Sequence, residues 1–125
     1  MAITSETVQD GDRLAVIYAT NDGATDESAS GGVKKVDVSA LSPAPTTVKI
    51  LKCDYAVTGG NVNVIYNGST DAHALVLPDG MTDQLDFSSF GGLPNKAGTP
   101  DGDIYLQGSD STTTYTVVLT VLKVY

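Results

Sequence analysis

The stretch that decides the fold is residues 113–125, TTYTVVLTVLKVY. It is the longest run of β-branched, aromatic and aliphatic residues in the chain and contains neither glycine nor proline, so it fits a strand better than a helix. Alternate side chains of a strand point to opposite faces. One face is wholly apolar and is predicted to enter a core: Tyr115, Val117, Leu119 and Val121. The other face is only half polar, which indicates that something covers it: Thr116, Val118, Thr120 and Leu122.

Earlier stretches supply the neighbours that such a strand needs. Residues 13–20, RLAVIYAT, are apolar on both faces, which predicts burial on both sides. In residues 47–57, TVKILKCDYAV, the apolar face changes partway, which indicates a bulge or a switch between sheets. The glycines of residues 58–61, TGGN, favour a hairpin that leads into a strand at residues 62–66.

The remaining segments are shorter or less regular. Residues 32–38, 72–78 and 103–107 are predicted strands, and residues 83–90 fit either a short strand or a helical turn. Residues 91–102 are predicted to be mostly an irregular loop. The polar loop at residues 21–32 is long for a compact domain, so we expect it to be mobile or ordered by a partner.

The spacing of turns gives the fold class. Turn signals recur every eight to twelve residues or so, as in sandwiches and barrels. About eight short strands and no convincing amphipathic helix predict an all-β protein, a jelly-roll-like antiparallel β-sandwich with Greek-key connections. We expect residues 1–12 to be an N-terminal arm or a short edge strand, and residues 13–125 to form a single β-sandwich domain.

Composition narrows the function classes. The 125 residues suit one domain, and no apolar run approaches the roughly 18 residues of a membrane span. The N-terminus has neither a basic start nor an apolar segment, so we do not expect a secretory signal. With 15 acidic and 7 basic residues the net charge is −8, which gives no electrostatic help in binding nucleic acid. We expect neither a nucleic acid nor a membrane as a partner.

Each candidate reactive or metal-binding residue also has an ordinary structural explanation. The single cysteine, Cys53, is expected to be a small core residue, and the single histidine, His73, lies in a predicted strand. Asp83 and Asp86 have the spacing of a carboxylate pair for glycoside hydrolysis, and this alternative ranks last. Acidic residues in two loops are potential Ca²⁺ ligands, although Asp-Gly pairs also form ordinary turns: Asp22, Asp26, Glu27, Asp101 and Asp103. We predict no catalytic residue, no metal and no cofactor.

The basic residues are unevenly spread. Four lysines fall between residues 34 and 52: Lys34, Lys35, Lys49 and Lys52. They are predicted either to form one patch against an acidic partner or to lie on ordinary solvated strand faces.

The second half of the chain carries a family resemblance. Its elements are NGSTD at residues 67–71, ALVLP at 74–78, DQLDFSSFGGLPN at 83–95, a GD pair before IYL at 102–106, and TYTVVLTVLK at 114–123. In this order they resemble small β-sandwich virion structural proteins of tailed bacteriophages, of the capsid decoration (cement) type. The resemblance covers residues 48–123, and its most specific parts are FSSFGGLPN and the ending, in which a GD pair and a short strand are followed by YTVVL.

The resemblance implies a capsid decoration protein that is not an enzyme. Such a protein binds the major capsid protein on the outer surface of the virion, stabilises the head, often acts as a homotrimer, and assembles in the host cytoplasm. The apolar second face of the closing stretch gives the candidate subunit interface: Val118, Leu122, Val124 and Tyr125. The N-terminal arm and the first lysines give the candidate capsid contacts: Ile3, Thr4, Val8, Lys34 and Lys35. The alternatives are another virion component (head fibre, neck or tail) and a carbohydrate-binding adhesin module.

Overall fold

The part of the chain that the structure describes contains nine β-strands. The structure, a computed structural model, describes residues 5–21, 23, 26–29 and 31–125, with side chains from residue 10 onward within these ranges. The strands are β1 (Ser5–Asp10), β2 (Leu14–Asn21), β3 (Val33–Val36), β4 (Thr47–Thr58), β5 (Val62–Thr70), β6 (Ala72–Leu77), β7 (Thr82–Asp86), β8 (Gly98–Gly108) and β9 (Thr114–Val124).

The strands form two antiparallel sheets that pack face to face. One sheet has five strands in the order β1-β2-β9-β4-β7, and the other has four in the order β3-β8-β5-β6. The pairs β2–β9, β3–β8, β4–β7 and β5–β6 are nested, like one long hairpin rolled up on itself. This is the winding of a jelly roll. The predicted all-β, jelly-roll-like antiparallel sandwich is therefore confirmed, with β1 added as a further strand at the edge.

Strand β9 lies at the centre of the five-stranded sheet. It pairs with β2 from residue 115 to 122 and with β4 from residue 114 to 124, so both of its edges are satisfied over most of its length. Its predicted core face is fully buried: Tyr115, Val117, Leu119 and Val121. These side chains face residues of the opposite sheet such as Val64, Ile104 and Leu106 within one continuous core.

The predicted change of face in β4 is a β-bulge. The register of β4 against β9 shifts between Ile50 and Lys52, which leaves Leu51 as the extra residue. Ile50 is buried before the bulge and Cys53 after it. One inserted residue moves the following side chains to the other face, so both halves of the strand keep their apolar side chains in the core.

The predicted hairpin at residues 58–61 is wrong. Gly59 and Gly60 do form a tight turn, with φ of 79° and 144°. However, β4 and β5 belong to different sheets, and the turn carries the chain across the sandwich. The reason is that β9 and β7 already occupy both edges of β4. The next strand therefore has to join the opposite sheet.

The predicted loop before residue 103 is also partly wrong, because β8 begins at Gly98. Strand β5 is likewise longer than predicted and runs to Thr70, and the two extensions pair through Gly68 with Pro100 and Thr70 with Gly98. A side chain on Gly68 would collide with the carbonyl oxygen of Gly98. Glycines such as Gly68 and Gly98 indicate a loop in the sequence, but here they allow the backbones of β5 and β8 to approach each other closely.

Helical structure in the described part of the chain is limited to two short 3-10 turns, Val38–Ala40 and Ser88–Phe90. The second follows directly after β7, so residues 83–90 contain both of the predicted alternatives in succession. No helix among the described residues has the length and apolar character needed to cross a membrane.

A buried lysine closes one end of the sandwich. Lys123 lies on the core side of β9, and its ammonium group forms an ion pair with Asp10 at the end of β1. The same ammonium donates a hydrogen bond to the carbonyl oxygen of Pro43 (3.1 Å). The second carboxylate oxygen of Asp10 accepts a hydrogen bond from the backbone N–H of Ser42 (2.7 Å). Residues 5–10 are thus an edge strand of the sandwich, whereas residues 1–4 lie outside the described residues.

This ion pair predicts a dependence of stability on pH. The hydrogen bond from Lys123, followed by that from Ser42, lowers the pKa of Asp10 below its ordinary 3.8. A lowered pKa contributes stability that is present above the ordinary pKa and is lost as the pH falls through the lowered value. We expect the free energy of unfolding, measured by urea denaturation, to fall below about pH 4 and to fall less steeply in Asp10→Asn.

The matched control is Asp12→Asn, because Asp12 is exposed and its carboxylate forms no ion pair with another described residue, while its backbone carbonyl accepts a hydrogen bond from the hydroxyl of Tyr125. Its stability should follow the wild-type pH curve. Parallel curves for wild type and Asp10→Asn below pH 4 would contradict the role assigned to this ion pair.

Candidate interaction surfaces

An apolar patch lies on the outer face of the five-stranded sheet. Cross-strand pairing places Leu14 opposite Leu122 and Tyr18 opposite Val118, and Val16 lies between them. Leu14 is 41% exposed and the other four are half-buried. We call these five residues the apolar patch. A contiguous group of apolar side chains on an outer sheet face is typical of an interface, whereas a sheet face that only contacts solvent has no need of one.

The patch contains two residues of the candidate subunit interface and extends beyond them. Val118 and Leu122 belong to it, Val124 is half-buried further along the same face of β9, and Tyr125 is 62% exposed after the strand ends. The contribution of β2 was missed at this site. Its signal was the apolar character of both faces of residues 13–20, of which one lines the core and the other forms the patch. The prediction that both faces of this strand are buried is therefore wrong, because only one face of β2 is buried.

The four lysines do not form one patch. Lys49 and Lys52 lie on the outer face of β4, in the five-stranded sheet, where Lys52 is opposite Asp86 of β7. Lys34 lies on β3, at the edge of the other sheet, and forms an ion pair with Asp103 at 3.1 Å. The proposed single basic patch is therefore divided between the two sheets.

The candidate capsid contacts are only partly described. Ile3 and Thr4 lie outside the described residues, and Val8 belongs to β1 but its side chain is outside the description. Lys34 is exposed. Lys35 is only 3% exposed, so its ammonium group is not offered to an outer partner.

A β-bulge turns Lys35 inward. The register of β3 against β8 shifts between Lys34 and Val36, which makes Lys35 the extra residue. Its ammonium forms an ion pair with the carboxylate of Glu27 at 2.8 Å, and both side chains are almost fully buried. The other carboxylate oxygen of Glu27 accepts a hydrogen bond from the hydroxyl of Tyr115. The ammonium also lies 5.7 Å from the centre of the Tyr115 ring.

This cluster anchors the loop between β2 and β3. The carbonyl of Glu27 accepts a hydrogen bond from the N–H of Gly108 (3.2 Å), and the amide of Gln107 donates to the carbonyls of Ser28 (3.2 Å) and Ala29 (3.1 Å). The described part of the loop is therefore ordered by the chain itself, an alternative that the sequence did not suggest. Burial, and then the Glu27 carboxylate, raise the pKa of the Tyr115 hydroxyl, which stays protonated as the donor.

The loop carboxylates make contacts within the chain. Asp26 accepts hydrogen bonds from Ser28, Asp101 accepts from Asn67, and Asp103 pairs with Lys34. Asp22 lies outside the described residues. Over the part of the chain that the structure describes, no three His, Cys, Asp or Glu side chains group in a way that would hold a metal ion.

The carboxylates proposed for hydrolysis are not brought together as a pair. Asp83 and Asp86 are three positions apart on β7, so they point to opposite faces. Hydrogen bonds from Ser88 lower the pKa of Asp86, whereas a general acid needs a raised one. Cys53 is buried, and burial raises its thiol pKa to about 12, which is the opposite of an activated nucleophile.

A trough crosses strands β9, β4 and β7 beside the apolar patch. It consists of two adjoining depressions of about 370 and 420 Å³ that share Ala56, Thr82 and Thr116. Asp54 and Gln84 line the first depression, and it borders the apolar patch at Val118. Threonines at positions 58 and 114 line the second. The trough therefore offers hydroxyl, amide and carboxylate groups around a small apolar floor.

Two comparisons with known proteins do not assign the chain to a family. Neither a scan against models of protein families nor a search of curated proteins finds a match for this chain.

The buried cluster makes a thermodynamic prediction. In Glu27→Gln the ammonium of Lys35 stays buried without its counter-charge, and removing one partner of a buried ion pair costs about 3–5 kcal/mol. The double variant Glu27→Gln with Lys35→Met removes both charges, so we expect much of that loss to be recovered. Urea denaturation of the wild type, both single variants and the double variant measures this coupling. Simple additivity of the two single effects would contradict the prediction.

Proposed function

We propose that this protein is a virion structural protein of a tailed bacteriophage, a capsid decoration (cement) protein that binds the major capsid protein on the outer surface of the head. The observation that carries the proposal is the apolar patch. A jelly-roll sandwich with a complete core of its own does not need Leu14, Tyr18 and Leu122 on an outer sheet face. A protein that functions as an assembly does need such a surface.

The patch is suited to contact between copies of the chain. It lies in the middle of the five-stranded sheet, on β2 and β9, where no strand edge has to open for a neighbour to dock. In the proposed homotrimer each copy buries its apolar patch against its neighbours. The net charge of −8 suits a solvated outer surface of a virion rather than contact with packaged DNA.

The resemblance in residues 48–123 supports the same function. Its specific segment, residues 87–95, forms the 3-10 turn after β7 and the start of the connection to β8. Leu93 in this segment pairs with Ile50 of β4 and packs against the core. These contacts explain why Leu93 is needed for the fold, and the resemblance supports the family without identifying a binding residue.

The test of assembly is Leu122→Asp. We expect the wild type to sediment as a trimer and the variant as a folded monomer, because a carboxylate on the patch is costly only when the patch is covered. Sedimentation velocity gives the mass, and circular dichroism gives the thermal midpoint. Leu14→Asp, at the exposed rim of the patch, should have the same effect. Phe90→Asp is the control, because Phe90 is 62% exposed and lies away from the patch.

A monomeric wild type would contradict the trimer. Unfolding of both patch variants would show that the face is internal to one chain. The capsid partner is tested separately: purified heads that lack the protein should bind the wild type in co-sedimentation. Failure of the wild type to bind would reject the decoration role whatever the oligomeric state.

The trough favours a second candidate function, a carbohydrate-binding module of an adhesin. The side chains of Asp54, Gln84 and Thr116 face the trough and make no hydrogen bond to the described part of the chain. Sugar hydroxyls need such donors and acceptors. Two carboxylates, Asp54 and Asp83, and no basic side chain line the first depression, so an acidic polysaccharide would be repelled.

The prediction for this candidate is binding of a neutral oligosaccharide. A panel of neutral glucan, mannan, galactan and N-acetylglucosamine oligomers, followed by NMR titration, should shift the amide signals of residues that line the trough. Ala56→Trp fills the trough and should abolish binding, whereas Thr112→Trp, on an exposed turn, should not. A panel without a single binder would reject this function.

A further inference from the structure

Over the described residues, the two sheets have four strand edges without a neighbouring strand. They are those of β1 and β7 in the five-stranded sheet and of β3 and β6 in the four-stranded sheet. The edge of a sheet presents unpaired backbone N–H and C=O groups to any other extended chain. Proteins that need to stay unpaired protect such edges with charged residues, proline, bulges or short strands.

Three of the four edges carry this protection. Strand β3, VKKV, is four residues long, contains two lysines and is bulged. Strand β7, TDQLD, is five residues long and contains two aspartates. Strand β1, SETVQD, contains a glutamate and an aspartate and has an irregular register against β2.

The edge of β6 is different. Its sequence, AHALVL, contains no Lys, Arg, Asp, Glu or Pro. Val76 is 58% exposed, and His73 is exposed as well. The strand does have a bulge at Ala74, between the pairs His73–Ile65 and Leu75–Val64. The bulged residue, Ala74, lines a cavity, and bulges are common where a strand borders a binding site.

The cavity opens beside the strand and is about 250 Å³ in volume. It is lined by Ala72, His73 and Ala74 of β6 and by Leu93, Pro94 and Lys96 of the connection between β7 and β8. The buried Tyr66 also lines the cavity. Its hydroxyl donates a hydrogen bond to the carbonyl of Leu93 (2.7 Å) and accepts one from the N–H of Ile50 (3.1 Å). The lining is therefore held in place and is largely apolar.

We propose that the edge of β6 binds an extended segment of a partner protein, which becomes the fifth strand of the four-stranded sheet and places one apolar side chain in the cavity. An extended backbone is the ligand that pairs with a row of backbone N–H and C=O groups, and a pocket beside the edge supplies side-chain specificity. This site is separate from the apolar patch and does not depend on the decoration function.

The charges beside β6 point to a foreign segment rather than to a second copy. Asp71 precedes the strand and Asp79 follows it closely, and both are exposed. Antiparallel pairing of two β6 strands would bring the start of one near the end of the other, and would therefore place these carboxylates together. Each copy also carries a net charge of −8. The favoured occupant has an apolar centre flanked by basic residues.

The experiment uses a phage-displayed library of random peptides as the probe and the immobilised full chain as the target. We expect enrichment of peptides with alternating apolar residues flanked by Lys or Arg. In hydrogen exchange the enriched peptides should protect the backbone amides of Ala72–Leu77. Val76→Lys should weaken binding by about tenfold or more, which corresponds to about 1.4 kcal/mol. Phe90→Lys should leave both binding and the fold unchanged.

Four results would overturn the proposal. One is the absence of any enriched peptide. Another is protection confined to other strands, or binding that Val76→Lys leaves unchanged while its thermal midpoint stays at the wild-type value. The last is a concentration-dependent dimer of the wild type that Val76→Lys disperses, because the occupant of the edge would then be a second copy.

Discussion

The pairing of β9 between β2 and β4 is the constraint on which the rest of the structure depends. It joins the last strand to strands that begin at residues 14 and 47, so the five-stranded sheet is complete only when the whole chain has been brought together. The other nested pairs are arranged around it: β7 joins the free edge of β4 in the same sheet, whereas β3, β8, β5 and β6 form the opposite sheet. Most contacts in the fold are therefore distant in sequence, which is expected to make folding slow relative to a helical protein of this size.

Two buried lysines close the ends of this sandwich, each with a different carboxylate. Lys35 with Glu27 holds the loop after β2, and Lys123 with Asp10 holds the end of β1. Because such pairs cost desolvation free energy, we expect them to contribute more to fixing which segments meet than to the net free energy of folding. Three surfaces of the sandwich are candidates for contact with other molecules: the apolar patch, the trough beside it and the edge of β6. The first supports the proposed assembly, and the last supports a separate peptide partner.

The alternation of apolar and polar residues along the sequence predicted which side chains of a strand face the core. It did not predict which strands are neighbours in the two sheets. The core face of β9 and the bulge in β4 follow from the two-residue period of apolar side chains. The turn at residues 58–61 was recognised, but whether a turn joins neighbours or crosses the sandwich depends on strands elsewhere that already occupy the edges of β4. Residues 33–36, VKKV, have the composition of a solvated strand. Only the bulge against β8 and the distant Glu27 explain why Lys35 is buried. Both halves of the apolar patch were visible in the sequence, as a second apolar face of residues 13–20 and as Val118 and Leu122, but the pairing of β2 with β9 that joins them was not.

The central claim, that β9 is the innermost strand of the sandwich, is tested most directly by native-state hydrogen exchange. Backbone amides in the middle of β9, around Val117 to Val121, should exchange only through global unfolding, with opening free energies equal to the free energy of unfolding from urea denaturation. Amides of the edge strands β6 and β7 should exchange through smaller openings. Exchange of the β9 amides at free energies well below the global value, or below those of the edge strands, would contradict the strand order on which this account rests.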